Sequence, residues 1–567
     1  MLLTRKLSSL HKVYPDYAPL SPFTGGTVLR NEPFSFQIAY KLMNEPRPMP
    51  LYAQVDTTLP LTSYRVDYVP LLSGYNLGSD GGEERTAPGL YPDILQPRKT
   101  NAQIFTPGID RGYEFGERNL ITAAPECWQS LWFTVNEEGK SLEPGSYDIT
   151  VRLYEAKTNQ VVAAETVQVR LIRAELVPQT LMCTNWYYAD CMCDAHDVAL
   201  YSDRFFEILE TYAKAAAVHG TNMILTPFFT PPLGTAIGYE RKRVQLVIVY
   251  AEETTDGWKY RFDFSLVKRF IDTCRKNGVT HFEHSHLFTQ WGAKAAPAIY
   301  AFVDGEDKRI FGWDTPSTGE KYVEFLKQYI PAVRAFLREE GLEDKTLFHL
   351  SDEPLPKDLD EFVAAATNAT ELLEGCMIGD ALSHYEFYEK GVMNRPFVGT
   401  PELEQFFGRC EHLCCYYTGS RMKNGLTNRV INAPSVRNRM IGLQMYRYNI
   451  EGFLHWGFNH CYGTLGSGCY DPFSYPGGWD LITGSGFLVY PSRDGRAIPS
   501  LRLKVFHEGI NDMRALQTLE ALTDRQTVCE LLDSFFDGKL TFHNGPTSPD
   551  KLFAVREAIN AAIEANA

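Results

Sequence analysis

The feature that most limits what this chain can become is a series of eight short apolar runs between residues 181 and 458, separated by longer polar or helix-forming stretches. They read LMCTNWYY (181–188), NMILTP (222–227), THFEHSHLF (280–288), TLFHLSDE (346–353), GCMIGD (375–380), RPFVGT (395–400), HLCCYYT (412–418) and GFLHWGF (452–458). Runs of four to eight residues that are apolar on both faces are the mark of buried parallel strands joined by crossover helices. Eight of them predict a closed (β/α)8, TIM-like barrel. The intervening segments agree. Phe205, Ile208, Leu209, Tyr212 and Ala216 form a stripe at helical spacing after Ser202, and Val267, Phe270, Ile271 and Cys274 form another that stops at Asn277-Gly278, a pair suited to a left-handed C-cap. Residues 244–262 alternate about Asp256-Gly257 and predict a hairpin inserted at one barrel mouth.

The flanks differ from the barrel. Tyr147, Ile149, Val151 and Leu153 alternate with polar residues after Pro144-Gly145, and Val167, Val169 and Leu171 alternate again, so the two runs predict a β-hairpin. With many turn residues and little helical periodicity, the N-terminal part is expected to be a β-sandwich, with residues 75–120 as a long loop. The last stretch, ending AVREAINAAIEANA, reads as helices. The expected plan is a multidomain chain: a sandwich over 1–176, the catalytic barrel over 177–520, and C-terminal helices over 521–567 packed on the barrel.

The charge narrows the partners. A net charge of −15 and a pI near 5.4 argue against nucleic acid and anionic membranes, which need clustered Lys and Arg. The expected partner is a small neutral molecule, with a homodimer as the base-rate oligomer. The N-terminus lacks an apolar stretch of signal-peptide length and no segment is apolar enough to span a bilayer, so a cytoplasmic protein is expected. The twelve cysteines lack the spacing of a disulfide scaffold, and the CxxC pairs of structural zinc are missing, although Cys183, Cys191 and Cys193 lie close in sequence. No cofactor or metal is expected. No P-loop, dinucleotide glycine fingerprint or GxSxG elbow falls at a strand-to-helix junction.

In such a barrel the chemistry gathers where strands end. The fourth run ends in Ser351-Asp352-Glu353-Pro354, two adjacent carboxylates before a proline that ends the ladder and keeps Glu353 out of the helical region. Successive strand residues face opposite ways, so both carboxylates reach one pocket only if the strand bends or stops there. Alone, the pair reads equally well as a solvated loop or a helix cap. Other run ends add Asn185 and Trp186; His284, His286, Gln290 and Trp291; Tyr416 and Tyr417; and Trp456 and Asn459. Each has an ordinary packing explanation, but together they place polar and aromatic groups around one mouth. Aromatic residues make up 13% of the chain, which suits stacking on sugar rings and ordinary cores alike.

Four segments, HFEHSHLFTQWGAK (281–294), LFHLSDEP (347–354), GFLHWGFN (452–459) and SGFLVYPSRDG with PSLRLKVFHEGINDMRAL (485–516), resemble glycoside hydrolase family 123 and the related DUF4091 proteins. The resemblance covers about residues 180–520. It implies an exo-acting, retaining β-N-acetylgalactosaminidase without an enzyme nucleophile. Asp352 would orient the 2-acetamido group and stabilise an oxazolinium, while Glu353, needing a raised pKa, would act as acid and then base. Trp456, Trp291 and Tyr417 would then pack on the sugar, with His286, Asn459 and Gln290 as polar partners. Two other readings stay open: a glycosidase for another sugar, β-GlcNAc or one lacking the acetamido group, with Asp380 as an alternative carboxylate, and a non-catalytic carbohydrate-binding protein.

Overall fold

A computed structural model describes residues 1–74, 80–98, 120–419, 425–466, 468–477 and 483–567. The N-terminal region is a sandwich of two five-stranded sheets. One has the order Leu2–Ser8, Phe34–Leu42, Trp128–Val135, Leu61–Leu71, Gly89–Arg98, and the other Gly25–Leu29, Val161–Ile172, Gly145–Glu155, Met49–Asp56, Ile121–Ala123. The expected hairpin is present, with Ile149 opposite Val167 and Tyr147 opposite Val169. Its inward residues Ile149, Val151, Val167 and Val169 pack against Phe36, Ile38, Leu131 and Phe133 of the facing sheet. The expected loop over 75–120 needs a correction. Residues 75–79 and 99–119 lie outside the described residues, but Gly89–Arg98 between them is a strand paired with Leu61–Leu71. It carries Pro92 and Pro97, which suggested a loop, and it tolerates them because it lies at the sheet edge.

Eight parallel strands then close into a barrel: β1 (Met182–Asn185), β2 (Met223–Thr226), β3 (His281–His284), β4 (Thr346–His349), β5 (Met377–Leu382), β6 (Arg395–Gly399), β7 (Cys414–Tyr416) and β8 (Gly452–His455). Pairing of β1 with β8, from Met182↔Gly452 to Asn185↔His455, completes the ring. Both faces of each strand are covered. Met182, Met223, Leu225, Leu347, Phe397, Cys414, Tyr416 and Leu454 meet inside the barrel. Their neighbours Ile224, Phe282, Phe348 and Ile378, and Cys183, Val398, Cys415 and Phe453, pack outward in the two layers that contain the surrounding helices. The helix Asp203–Val218 begins where Ser202 Oγ accepts a hydrogen bond from Phe205 N at 3.2 Å, and Ser265–Lys276 is followed by Gly278 at φ +99°.

The inserted hairpin, Ile248–Thr254 with Gly257–Asp263, is extended by an unexpected second one, Ile299–Val303 with Glu306–Phe311, into a four-stranded sheet. Its turn, Asp304-Gly305 at φ +52° and +81°, has the left-handed pair that matches strand twist.

The C-terminal helices bind the two domains together. Leu501–Leu522 runs across the expected boundary at residue 520, and Pro549–Asn566 lies against both it and the sandwich strand Gly25–Leu29. Arg439, Asp512, Arg556 and Glu32 form a buried ionic chain from barrel to sandwich. Arg502 uses all five of its N–H groups: two on the sandwich carboxylate Asp93 at 2.9 Å each, and three on the carbonyls of Arg429 (3.2 Å), Gly484 (2.6 Å) and Phe487 (2.9 Å) in the loops after β7 and β8. All twelve cysteines are free thiols. Cys183, Cys191 and Cys193 lie in three different apolar clusters and do not form a zinc site. Among the described residues no helix is long and apolar enough to cross a membrane.

Candidate active site

Asp352 and Glu353 follow β4, which stops at His349, four residues earlier than the apolar run suggested. Beyond it the chain is held by irregular contacts. Leu350 N donates to Gly379 O at 3.1 Å, Ser351 N to the Asp380 carboxylate at 2.9 Å, and Glu353 N to Ala381 O at 3.1 Å. Glu353 adopts φ +43°, a left-handed conformation that costs a side-chain-bearing residue energy. The strand therefore bends at the two carboxylates. Trp291, also left-handed at φ +62°, donates its backbone N–H to Asp352 O at 2.8 Å, so two strained residues meet across one carbonyl. Tyr416, the last residue of β7, donates its hydroxyl to Glu353 Oε1.

Below the pair lies a layer of buried charge, of which only Asp380 was singled out from the sequence. Glu283 of β3, His349 of β4 and Asp380 of β5 are each fully buried. His349 Nδ1 is 2.9 Å from Glu283 Oε1 and its Nε2 is 3.3 Å from Asp380 Oδ1, charge contacts rather than aligned hydrogen bonds. Glu283 is fixed by Trp186 Nε1 at 2.9 Å and Thr184 Oγ1 at 3.0 Å, and Asp380 by the N–H groups of Ser351 and Ala381. Burial opposes the charged form of His349, but the Asp380 and Glu283 carboxylates outweigh it and carry its pKa up to about 10. His286 is stacked on it with ring centroids 3.9 Å apart, and burial, aided by the His349 charge, holds His286 well below the usual imidazole range. Burial raises Asp380, and it raises Asp352 well above the carboxylate range, with the Glu353 and Asp380 charges adding to the effect.

Strand alternation decides which expected residues reach this cluster. Trp186, His286, Asp352, Glu353 and Tyr416 are brought together, with Trp186 edge-on to His286 and His349 at 5.0 and 5.6 Å. Trp456 joins the inner aromatic lining, half-buried, packed against the cluster that holds Tyr188, Leu454 and Tyr416, with its ring edge-on to His460. Trp291 touches Asp352 through its backbone. Asn185 and Tyr417 are corrections. Each follows an inward residue and so points outward: Asn185 donates to Thr221 Oγ1 and accepts from buried Arg429, and Tyr417 lies against Phe453. Gln290 and Asn459 spend their amides on backbone. Gln290 ties Gly234 N and Thr235 O, and Asn459 clamps both backbone groups of Tyr188 at 2.8 and 3.0 Å. His284 also faces outward, 2.7 Å from the Tyr329 hydroxyl.

His286, His349 and Asp352 offer ligand atoms within 4.8 Å of one another. Both His349 nitrogens already face carboxylates, at 2.9 and 3.3 Å, which leaves this group only two uncommitted donors. The arrangement suits proton chemistry: two carboxylates in one aromatic-lined pocket, with the pKa of Asp352 raised.

The family described as glycoside hydrolase 123, catalytic domain, matches residues 186–519, more than half of the chain. The chain belongs to glycoside hydrolase family 123. The matched span holds the whole constellation, from Trp186 to Trp456. A family 123 glycoside hydrolase from Clostridium perfringens, reported in a study of glycolipid glycan hydrolysis, shares the fold at a TM-score of 0.72 over 100% of this chain and 98% of that one, with 12% identity. A GH10 xylanase with a bacterial Ig-like domain from termite gut aligns over 66% of this chain and 87% of its own at TM-score 0.32 and 11% identity. No curated protein matches the chain. The family 123 protein is thus a glycosidase whose carboxylate pair stands at the end of β4.

Proposed function

We propose that this family 123 protein is an exo-acting, retaining β-N-acetylgalactosaminidase in which the substrate's own 2-acetamido oxygen attacks the anomeric carbon. The observation that carries the reading is the left-handed turn at Glu353, which brings two consecutive carboxylates to interact in one pocket, an arrangement that suits a nucleophile supplied by the substrate. With the nucleophile inside the substrate, one carboxylate serves the 2-substituent and the other the leaving group. Asp352 accepts the acetamido N–H and balances the positive charge of the oxazolinium. Glu353, aligned by Tyr416, protonates the glycosidic oxygen and then takes a proton from the attacking water.

The proton on the pair moves to where this scheme needs it. In the free site burial favours neutral Asp352. An acetamido N–H donated to that carboxylate favours its ionised form, and two adjacent carboxylates resist ionising together, so the proton passes to Glu353 as substrate binds. Trp186, Tyr416 and Trp456 supply the apolar walls for the ring and the acetamido methyl, and His286, with both ring nitrogens unpartnered, supplies a polar contact.

The test is hydrolysis of 4-nitrophenyl N-acetyl-β-D-galactosaminide beside its gluco epimer and the plain β-galactoside, with and without a thiazoline analogue. Galactosaminide turnover blocked by the thiazoline is expected. Cleavage of the plain galactoside would remove substrate assistance, and preference for the gluco epimer would change the sugar while keeping the mechanism.

A further inference from the structure

We propose that Glu283 and Asp380, acting through His349, are positioning residues that fix how many protons the Asp352–Glu353 pair holds. The inference deepens the reading above and rests on it. Substrate assistance requires one proton on two carboxylates: with two, Asp352 cannot accept the acetamido N–H, and with none, nothing protonates the leaving group.

The pH range in which one proton is held depends on the charge packed beneath the pair. Glu283, His349 and Asp380 are fully buried and linked at 2.9 and 3.3 Å, so they form one unit with two negative charges and one positive. The unit carries a net charge of −1: its cation His349 comes within 4.8 Å of Asp352, yet the Asp380 carboxylate acts on Asp352 more strongly than that cation, and Glu283 adds to it. The other groups facing the unit are Thr184, Trp186 and Tyr188 from β1 and its end, His286 from beyond β3, and Glu353 and Tyr416 on the far side of Asp352. His286 is neutral and burial keeps the Tyr188 phenol protonated, so neither offsets that charge. Each carboxylate is also held so that it cannot turn away, Glu283 by the Trp186 indole and Asp380 by two backbone N–H groups. A fixed negative charge in a poorly screened interior favours protonated neighbours, and the His349 cation limits that bias to one net charge.

Asp380→Asn and Glu283→Gln each remove one negative charge; Glu283→Gln keeps one oxygen for both Thr184 and Trp186, while Asp380→Asn keeps an acceptor for one of the Ser351 and Ala381 N–H groups. The assay is kcat/KM for the galactosaminide from pH 4 to 9, with circular dichroism confirming the fold of each variant. Both limbs of the bell should move about one pH unit towards acid. A purely structural role would lower the bell without moving it, so two folded variants with wild-type limbs, or limbs moved towards alkali, would overturn the proposal. A substrate-free readout separates this outcome from failure of the functional reading. The infrared carboxylic-acid band abolished by Asp352→Asn should titrate at lower pH in Asp380→Asn than in the wild type, whichever sugar the enzyme cleaves. An unmoved band would sink the proposal independently.

Discussion

Tyr416→Phe removes one oxygen from the buried barrel lining and, with it, the hydroxyl donor to Glu353 Oε1. The ring fills the same space, so the fold should survive. A hydrogen bond to a charged group contributes about 1.5–3 kcal/mol, and at about 1.4 kcal/mol per decade its loss in the transition state lowers kcat/KM by roughly 10- to 150-fold. The size should depend on the leaving group. If Tyr416 acts by aligning Glu353 for proton donation, the loss is largest for an alkyl or sugar aglycone, which departs only when protonated, and smallest for 2,4-dinitrophenolate, which departs unaided. Steady-state kinetics on both substrates, with wild type and variant side by side, make the comparison. An equal loss on both would show that Tyr416 binds the sugar rather than serving the acid, and no loss on either would refute the alignment argument.

Asp352→Asn and Glu353→Gln should each abolish most turnover while leaving the circular dichroism spectrum unchanged; near-normal rates in either would remove the proposed mechanism. Tyr417→Phe should leave kinetics unchanged and stability within about 0.5 kcal/mol by urea denaturation, because the buried hydroxyl has no partner to lose. Raising the His349 pKa from 6.5 to about 10 makes its charged form stabilising below pH 6.5, with the contribution lost as pH rises through about 10. The unfolding free energy from urea denaturation should therefore fall between pH 7 and 10, by up to about 5 kcal/mol from this group, and His349→Gln should flatten that slope. Asp93→Asn should lower the urea midpoint by the equivalent of a few kcal/mol, since a buried guanidinium loses its charge partner.

The barrel was legible because a strand buried on both faces must be a continuous apolar run, and all eight runs became strands. Their ends were less legible: the run TLFHLSDE is apolar through Leu350, yet pairing stops at His349 because Ser351 N bonds to the Asp380 side chain instead of a backbone carbonyl and the Leu350 carbonyl accepts from Phe288 N. The carboxylate pair could be found from its position and from Pro354. Of its supporting charges Asp380 was named but Glu283 and His349 were missed, although the signal was present, because strand ends were read and strand parity was not. Glu283 and His349 occupy the inward register of β3 and β4, where a charge inside a barrel demands an explanation. The same parity would have removed Asn185 and Tyr417. The Gln290 and Asn459 roles could not be read from spacing, because the backbone groups they clamp belong to loops whose course is set only by the fold.

Arg502 has a consequence for how the protein can be divided. Its guanidinium has no unused donor, and the acceptors come from three separate stretches of chain, one of them in the sandwich. Cutting between residues 172 and 182 would leave that cation buried beneath the rim of the barrel mouth with no counter-charge. The linker that looks like a domain boundary in sequence is therefore not a seam along which the molecule separates. An excised barrel should lose the order of the rim before it loses its strands, so for this enzyme the smallest unit that can hold its substrate is the sandwich and barrel together.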